Sequence, residues 1–280
     1  MLFGTLRSKI ILMRIIIAAA LVTLSVFSAA AQDRFFARTY NSTVLPKGVI
    51  DLEFWHTSRV GHKGQFFHAQ DQRLELEFGL GRNWQTAFYF NSFQKRFSVG
   101  DEGTTTTHAI GFSNEWKVKL LDPSFNKIGL ALYGEWGIKG GDELELESKI
   151  ILDKIIGKHV VAFNGTLEYE KEFEWENGEV ESDGYKMPVE FDLGYLYNIK
   201  PSFGLGFEIR NHNEIAKGEG WENSVLYAGP TINYRGNRWF VVANYLPQLA
   251  NIHKTEEFSG KKELAEHERA EARILIGISF

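Results

Sequence analysis

The sequence predicts an all-β protein, a transmembrane antiparallel up-and-down barrel of about twelve strands. Three observations carry this. Apolar and polar residues alternate along the chain with the period of two that belongs to a strand facing lipid on one side and a polar interior on the other. The chain ends on such a segment, with Ile274, Ile276, Ile278 and Phe280 on one face. The links between segments are alternately short and long, as on the two sides of a membrane barrel.

The elements follow in order. Arg7, Lys9 and Arg14 lead into an apolar run, Ile15 to Phe27, and then Ser28-Ala29-Ala30-Ala31. A charged start, an apolar stretch and small residues before a cut site make residues 1–31 a signal peptide, cleaved near Ala31. Met13 with Arg14 would serve equally as the start. The run is short for a helix that crosses a bilayer. Residues 32–48 are expected to be a periplasmic segment and residues 49–280 the barrel.

Ile50, Leu52 and Phe54 alternate with Asp51, Glu53 and Trp55 in the first strand. The second carries Leu74, Leu76 and Phe78, the third Trp84, Phe88 and Phe90, the fourth Ile110, Phe112, Trp116 and Val118. The fifth to eighth are marked by Leu130 with Leu132, Leu144 with Leu146, Phe163 with Leu167, and Phe191 with Leu193. The last four carry Leu205 with Phe207, Ile232 with Tyr234, Trp239 with Val241, and the terminal segment. An even count puts both termini on one side. The links at 81–83, 121–127, 154–158, 198–202 and 235–238 are short. Those at 94–106, 173–184, 211–223 and 249–267 are long and polar, hence external. Trp84, Phe203 and Trp239 open strands at the level where aromatic rings prefer the membrane interface. Pro230 inside the tenth strand removes a ladder donor, which calls for a bulge or a shifted strand.

Composition excludes some functions. There is no Cys, so neither a disulfide framework nor a thiolate metal site exists. The chain has 31 Lys and Arg against 36 Asp and Glu; without the three basic residues of the leader the balance is 28 to 36, a net charge of −8. That argues against a nucleic-acid partner, which requires a basic face. No cofactor motif is present, and no cofactor is expected. His56, His62 and His68 gather near one loop and are read as its polar rim, so no metal site is expected either.

If the apolar parity faces lipid, the other parity lines the lumen. It carries Asp51, Glu53, Glu75, Glu77, Glu115, Glu135, Glu145, Glu147, Glu168, Glu190, Asp192 and Glu208 against Arg73, Lys117, Lys119, Lys149 and Arg210. Pairing of these charges would fill the interior. An open lumen would instead give an acid-biased path for cations. The expected role is accordingly a narrow, cation-leaning channel or a structural envelope barrel.

The terminal octapeptide resembles the C-terminal insertion signal of Gram-negative outer-membrane barrels. The resemblance implies an outer-membrane location, outer-membrane lipids and lipopolysaccharide as surroundings, and recognition of the last strand by the barrel-assembly machinery. The entry Val44-Leu45-Pro46-Lys47-Gly48 into the first strand, through Glu75-Leu76-Glu77-Phe78-Gly79, is similar to the start of uncharacterised proteobacterial outer-membrane barrels and implies no activity. One motif suggests chemistry. His56 and Ser58 share the outward face of the first strand, where a neighbouring base could activate the hydroxyl. This His-x-Ser resembles the dyad of outer-membrane phospholipase A and of lipid A deacylase. Those families orient the His with a polar residue twelve positions after the Ser, which here is Gln70. The alternative expectation is therefore a lipid-facing esterase using His56, Ser58 and Gln70.

Overall fold

A strand in lipid must pair every backbone group, and a sheet can do so only by closing on itself. The computed structural model describes residues 34–280 apart from 101–102, 177–178, 182–183, 219 and 256–258. The signal peptide expected at 1–31 lies outside the described residues.

The chain forms β1 (Ile50–Val60), β2 (Phe67–Gly81), β3 (Trp84–Ser98), β4 (Thr104–Leu121), β5 (Gly129–Lys139), β6 (Glu143–Ile156) and β7 (His159–Glu172). Then come β8 (Glu174–Glu176), β9 (Glu179–Glu181), β10 (Val189–Lys200), β11 (Phe203–Ala216), β12 (Gly220–Arg235), β13 (Trp239–His253) and β14 (Ala270–Ser279). Twelve of these close an antiparallel barrel in chain order, while β8 and β9 pair with each other in the β7–β10 loop. Closure runs from Asp51 opposite Ser279 to Val60 opposite Ala270. The Phe280 amide donates to the Ile50 carbonyl at 2.8 Å, so the C-terminal residue completes the ladder.

The short links fall at the end where β1 begins and β14 finishes. Arg82 and Asn83 make a two-residue turn with φ of 53° and 66°, the left-handed pair that matches the twist of a hairpin. At the opposite end the strands run further than the sequence pattern suggests. β3 and β4 stay paired from Phe97 opposite Thr105 to Ser98 opposite Thr104, inside the stretch expected to be loop. β11 and β12 likewise pair out to Ala216 opposite Gly220. A ladder beyond the membrane has no apolar face to show, so alternation stops before the strand does. β12 is not shifted at Pro230. Its ladder to β13 lacks partners between Tyr227 and Thr231 and slips at Ser224/Val225 and Leu226/Tyr227. The proline therefore sits where no donor is required.

The outer face is a continuous apolar band that includes Phe54, Leu74, Phe90, Phe112, Leu132, Ile150, Phe191, Phe207, Ile232 and Ile276, all exposed. Trp84, Trp239, Tyr197 and Tyr234, all exposed, ring its edge at the end of the short links.

Candidate functional site

The interior is occupied by the chain's own N-terminal segment. The sequence reading sets residues 32–48 apart as a periplasmic lead-in. In the structure residues 34–45 instead run inside the barrel, with Arg34, Phe35, Phe36, Ala37, Thr39, Tyr40, Asn41, Ser42 and Leu45 buried.

The inner wall is shaped for this segment. Phe36 packs with Phe35, Val160, Ala162 and Leu196. Gly194 faces it, and a Cβ there would stand 2.8 Å from the Phe36 ring. Tyr40 meets Tyr133 edge-on at 5.5 Å and shares a core with Trp55 and Phe240. Arg34 stacks on Tyr40 and Trp55, its guanidinium 4.1 Å and 4.3 Å from the ring centres.

Polar contacts fix the backbone, which has no strand partner of its own. Glu208 accepts from the amides of Ala37 (3.1 Å), Arg38 (2.9 Å) and Thr39 (2.8 Å). Asn164 accepts from the Tyr40 amide at 2.6 Å and donates to its carbonyl at 2.9 Å. Ser42 Oγ donates to Asp153 at 2.6 Å, and the Leu45 amide donates to Gln85 at 3.0 Å. Arg38 meets Glu190 at 2.6 Å, Glu271 at 3.1 Å and Asp192 at 3.4 Å. Arg210 joins the same cluster, 2.6 Å from Glu190 and 3.4 Å from Glu271.

The other lumen candidates fall into layers. Asp51, Glu53, Glu75, Glu77, Glu115 and Lys117 are buried in the half nearer the short links. There Trp55 Nε1 is shared between Glu53 and Glu75, at 3.0 Å each. Arg73 pairs with Glu135 at 2.8 Å, Lys149 with Glu147 at 3.0 Å, and Glu145 with Lys139 at 3.5 Å. Lys119, near the end of β4, pairs with Asp122 of the β4–β5 turn at 2.6 Å. Glu168 lines a cavity of about 180 Å³ above Tyr40, together with Arg38, Trp55 and Asp192. A wider vestibule of about 590 Å³ follows toward the end opposite the short links, and Arg38 and Arg273 line both spaces.

The β13–β14 loop folds over this vestibule. Glu263 is buried and accepts from the amides of Ala265, Glu266 and His267. His267 lies against His212, with ring centres 5.4 Å apart. Burial, and then the nearby His212, push the His267 imidazole down to about 3, so it is neutral at physiological pH.

The outward motif is placed as follows. Ser58 stands opposite Gln70 and His56 opposite Gln72 on the β1–β2 ladder. Directly opposed residues share a face, so His56, Ser58 and Gln70 all lie on the outer surface. The imidazole that reaches Ser58 Oγ is His68, whose Nε2 is 3.0 Å away. The diagonal of the ladder delivers it.

Sequence reasoning missed the segment 34–45, the partners Glu271 and Arg273, and the approach of His267 to His212. One signal for the first was available: acids of lumen parity outnumber bases, and buried charge needs a partner. Arg34 and Arg38 supply part of it.

A closed antiparallel barrel with an outward apolar band is the fold of outer-membrane β-barrels. Solved structures share it at low identity. An outer membrane channel from Pseudomonas putida F1 matches at TM-score 0.61 and 13% identity, over 85% of this chain and 97% of that one. The translocator domain of the autotransporter NalP from Neisseria meningitidis matches at 0.58 and 12%, over 83% and 88%. The β domain of the Bordetella autotransporter BrkA matches at 0.53 and 9%, over 84% and 100%. The chain belongs to a family of unknown function, DUF6662, which matches residues 28–280. No curated protein matches it.

Proposed function

We propose that the protein is a cation-leaning outer-membrane channel or transporter of a Gram-negative bacterium, held closed by its N-terminal segment. The observation that carries this reading is Arg38. It closes the floor of an outward-facing charged vestibule by pairing with Glu190, Asp192 and Glu271. A purely structural barrel can fill its interior with its own wall residues. Here the filler is a separate segment of chain, held by side-chain contacts and not by a strand ladder. The acid surplus of the wall favours cations once the segment moves. In this reading the apolar band meets outer-membrane lipids and lipopolysaccharide, and the strand ending at Phe280 is the segment read by the barrel-assembly machinery. The test is conductance in planar bilayers of the mature barrel and of a variant lacking residues 34–45. The intact barrel should be silent or open rarely. The deletion should give cation-selective steps. A folded deletion variant without conductance would leave a structural envelope role.

A second reading rests on Ser58 and His68. A hydroxyl 3.0 Å from an imidazole on the lipid-facing surface is the minimal pair for ester cleavage. The base is then His68, with His56 and Gln70 beside the pair. Ser58→Ala should abolish any hydrolysis of a phospholipid or p-nitrophenyl acyl ester while the barrel stays folded. Activity retained in that variant removes this reading.

A further inference from the structure

We propose that His212, Glu214 and His267 form a binding site for a borderline divalent transition-metal ion of the zinc class, at the external mouth of the barrel. The site does not depend on the channel reading, because it lies in the vestibule outside the segment 34–45.

His212 and Glu214 are two residues apart on β11, so they face the same side of the sheet. Both project into the 590 Å³ vestibule, as does His267 from the β13–β14 loop. One ligand atom from each of the three lies within 4.8 Å of the other two. Bonds of about 2.0–2.2 Å to a common ion require these atoms to close in by an ångström or so, which side-chain rotation supplies.

The outer contacts hold each imidazole in a ligand state. His267 Nε2 is 2.8 Å from Asn223 Oδ1, so that nitrogen donates and Nδ1 keeps its lone pair. His212 Nδ1 is 3.2 Å from Glu190 Oε2, so it donates to a carboxylate and Nε2 is left to bind. Arg210 also approaches His212 Nδ1, at 3.4 Å, and its ion pairs with Glu190 and Glu271 hold it in place. A ligating histidine whose second nitrogen is fixed by an oxygen acceptor is the recurrent arrangement of metal centres. Glu214 is held by Asn223 Nδ2 at 3.3 Å and by Lys186, which a divalent ion would have to displace. Two imidazoles and one carboxylate suit zinc, copper, nickel or ferrous iron, and not calcium or magnesium, which take oxygen. Three protein ligands leave at least one position open toward the vestibule.

The experiment is titration of the tag-free, detergent-solubilised full-length mature barrel with Zn²⁺ alone, by calorimetry and by metal analysis after dialysis. One ion per chain is expected at micromolar affinity or better, with no comparable uptake of Ca²⁺. His212→Gln and His267→Gln should each weaken binding at least tenfold, and Glu214→Gln by a similar factor. His159→Ala, at the opposite end of the barrel beside Ile156 and Tyr197, should leave it unchanged. Asn223→Ala, which removes only the outer contact of His267, should weaken it by about ten- to a hundredfold. Absence of saturable Zn²⁺ uptake by the folded wild-type barrel overturns the proposal. So does uptake that survives both histidine changes.

Discussion

Replacing Arg38 with alanine should turn a silent barrel into a conducting one. Arg38 carries the only guanidinium of residues 34–45 that reaches Glu190, Asp192 and Glu271 together. Its two shortest bonds, at 2.6 and 2.8 Å, both go to Glu190 and are short as charge-assisted hydrogen bonds are, and Glu271 accepts at 3.1 Å. Removing one partner of a buried ion pair leaves the other uncompensated, at a cost of about 3–5 kcal/mol. Arg210 would remain near Glu190 and Glu271, but it is already committed to both, and to Glu268 at 3.5 Å. The three carboxylates would then repel across the floor of the vestibule, and the segment would lose its outermost anchor. The check is single-channel recording under a salt gradient. Steps should appear, with a reversal potential of the sign that marks cation preference. Arg38→Lys should behave more like the alanine variant than like wild type, because an ammonium cannot match the guanidinium fork that bridges two carboxylates. A silent Arg38→Ala barrel that unfolds at the wild-type urea concentration would show that this cluster closes nothing.

The barrel was legible in the sequence because its physics is one-dimensional. Lipid outside and polar groups inside force each strand into alternation, and Leu74-Glu75-Leu76-Glu77-Phe78 carries that period of two. The terminal Phe280 marked the strand that closes the ladder on β1. The reading failed where that constraint is lifted. Thr104 to Thr107 and Lys95 with Arg96 continue β3 and β4 past the membrane, and they carry no alternation because both faces meet water. The segment 34–45 has no period at all. Its backbone is held by side chains, through partners such as Glu208 and Asn164 that lie more than a hundred residues away. The pairing of His68 with Ser58 was missed for a subtler reason. The motif lies along β1, whereas the contact runs across the hairpin, and only the register with Gln70 opposite Ser58 reveals it. His212 and His267 are likewise distant in the chain, and the β13–β14 loop that carries His267 has no periodic pattern to place it.

Glu208→Ala should release the same segment by a different route, through its backbone instead of its charge. Glu208 Oε1 accepts from the Ala37 amide and from Asn244 Nδ2, at 3.1 and 3.0 Å. Its Oε2 accepts from the amides of Arg38 and Thr39 and from Thr39 Oγ1, at 2.9, 2.8 and 3.2 Å. One carboxylate thus satisfies three consecutive amides of a chain that has no strand to pair with. Alanine would orphan all of them in a buried site, at roughly 1–3 kcal/mol for each donor. The wall itself should hold, because the β11 ladder to β10 and β12 is made by main-chain groups that the substitution does not touch. Hydrogen exchange separates the two effects. The amides of Ala37, Arg38 and Thr39 should lose their protection in Glu208→Ala, while those of β10 to β12 keep theirs. Glu208→Gln should fall between, since its amide retains one acceptor oxygen but turns an NH₂ group toward donors. If protection at residues 37–39 is the same in all three proteins, the carboxylate is not what holds the segment, and the aromatic packing of Phe36 and Tyr40 must carry it instead.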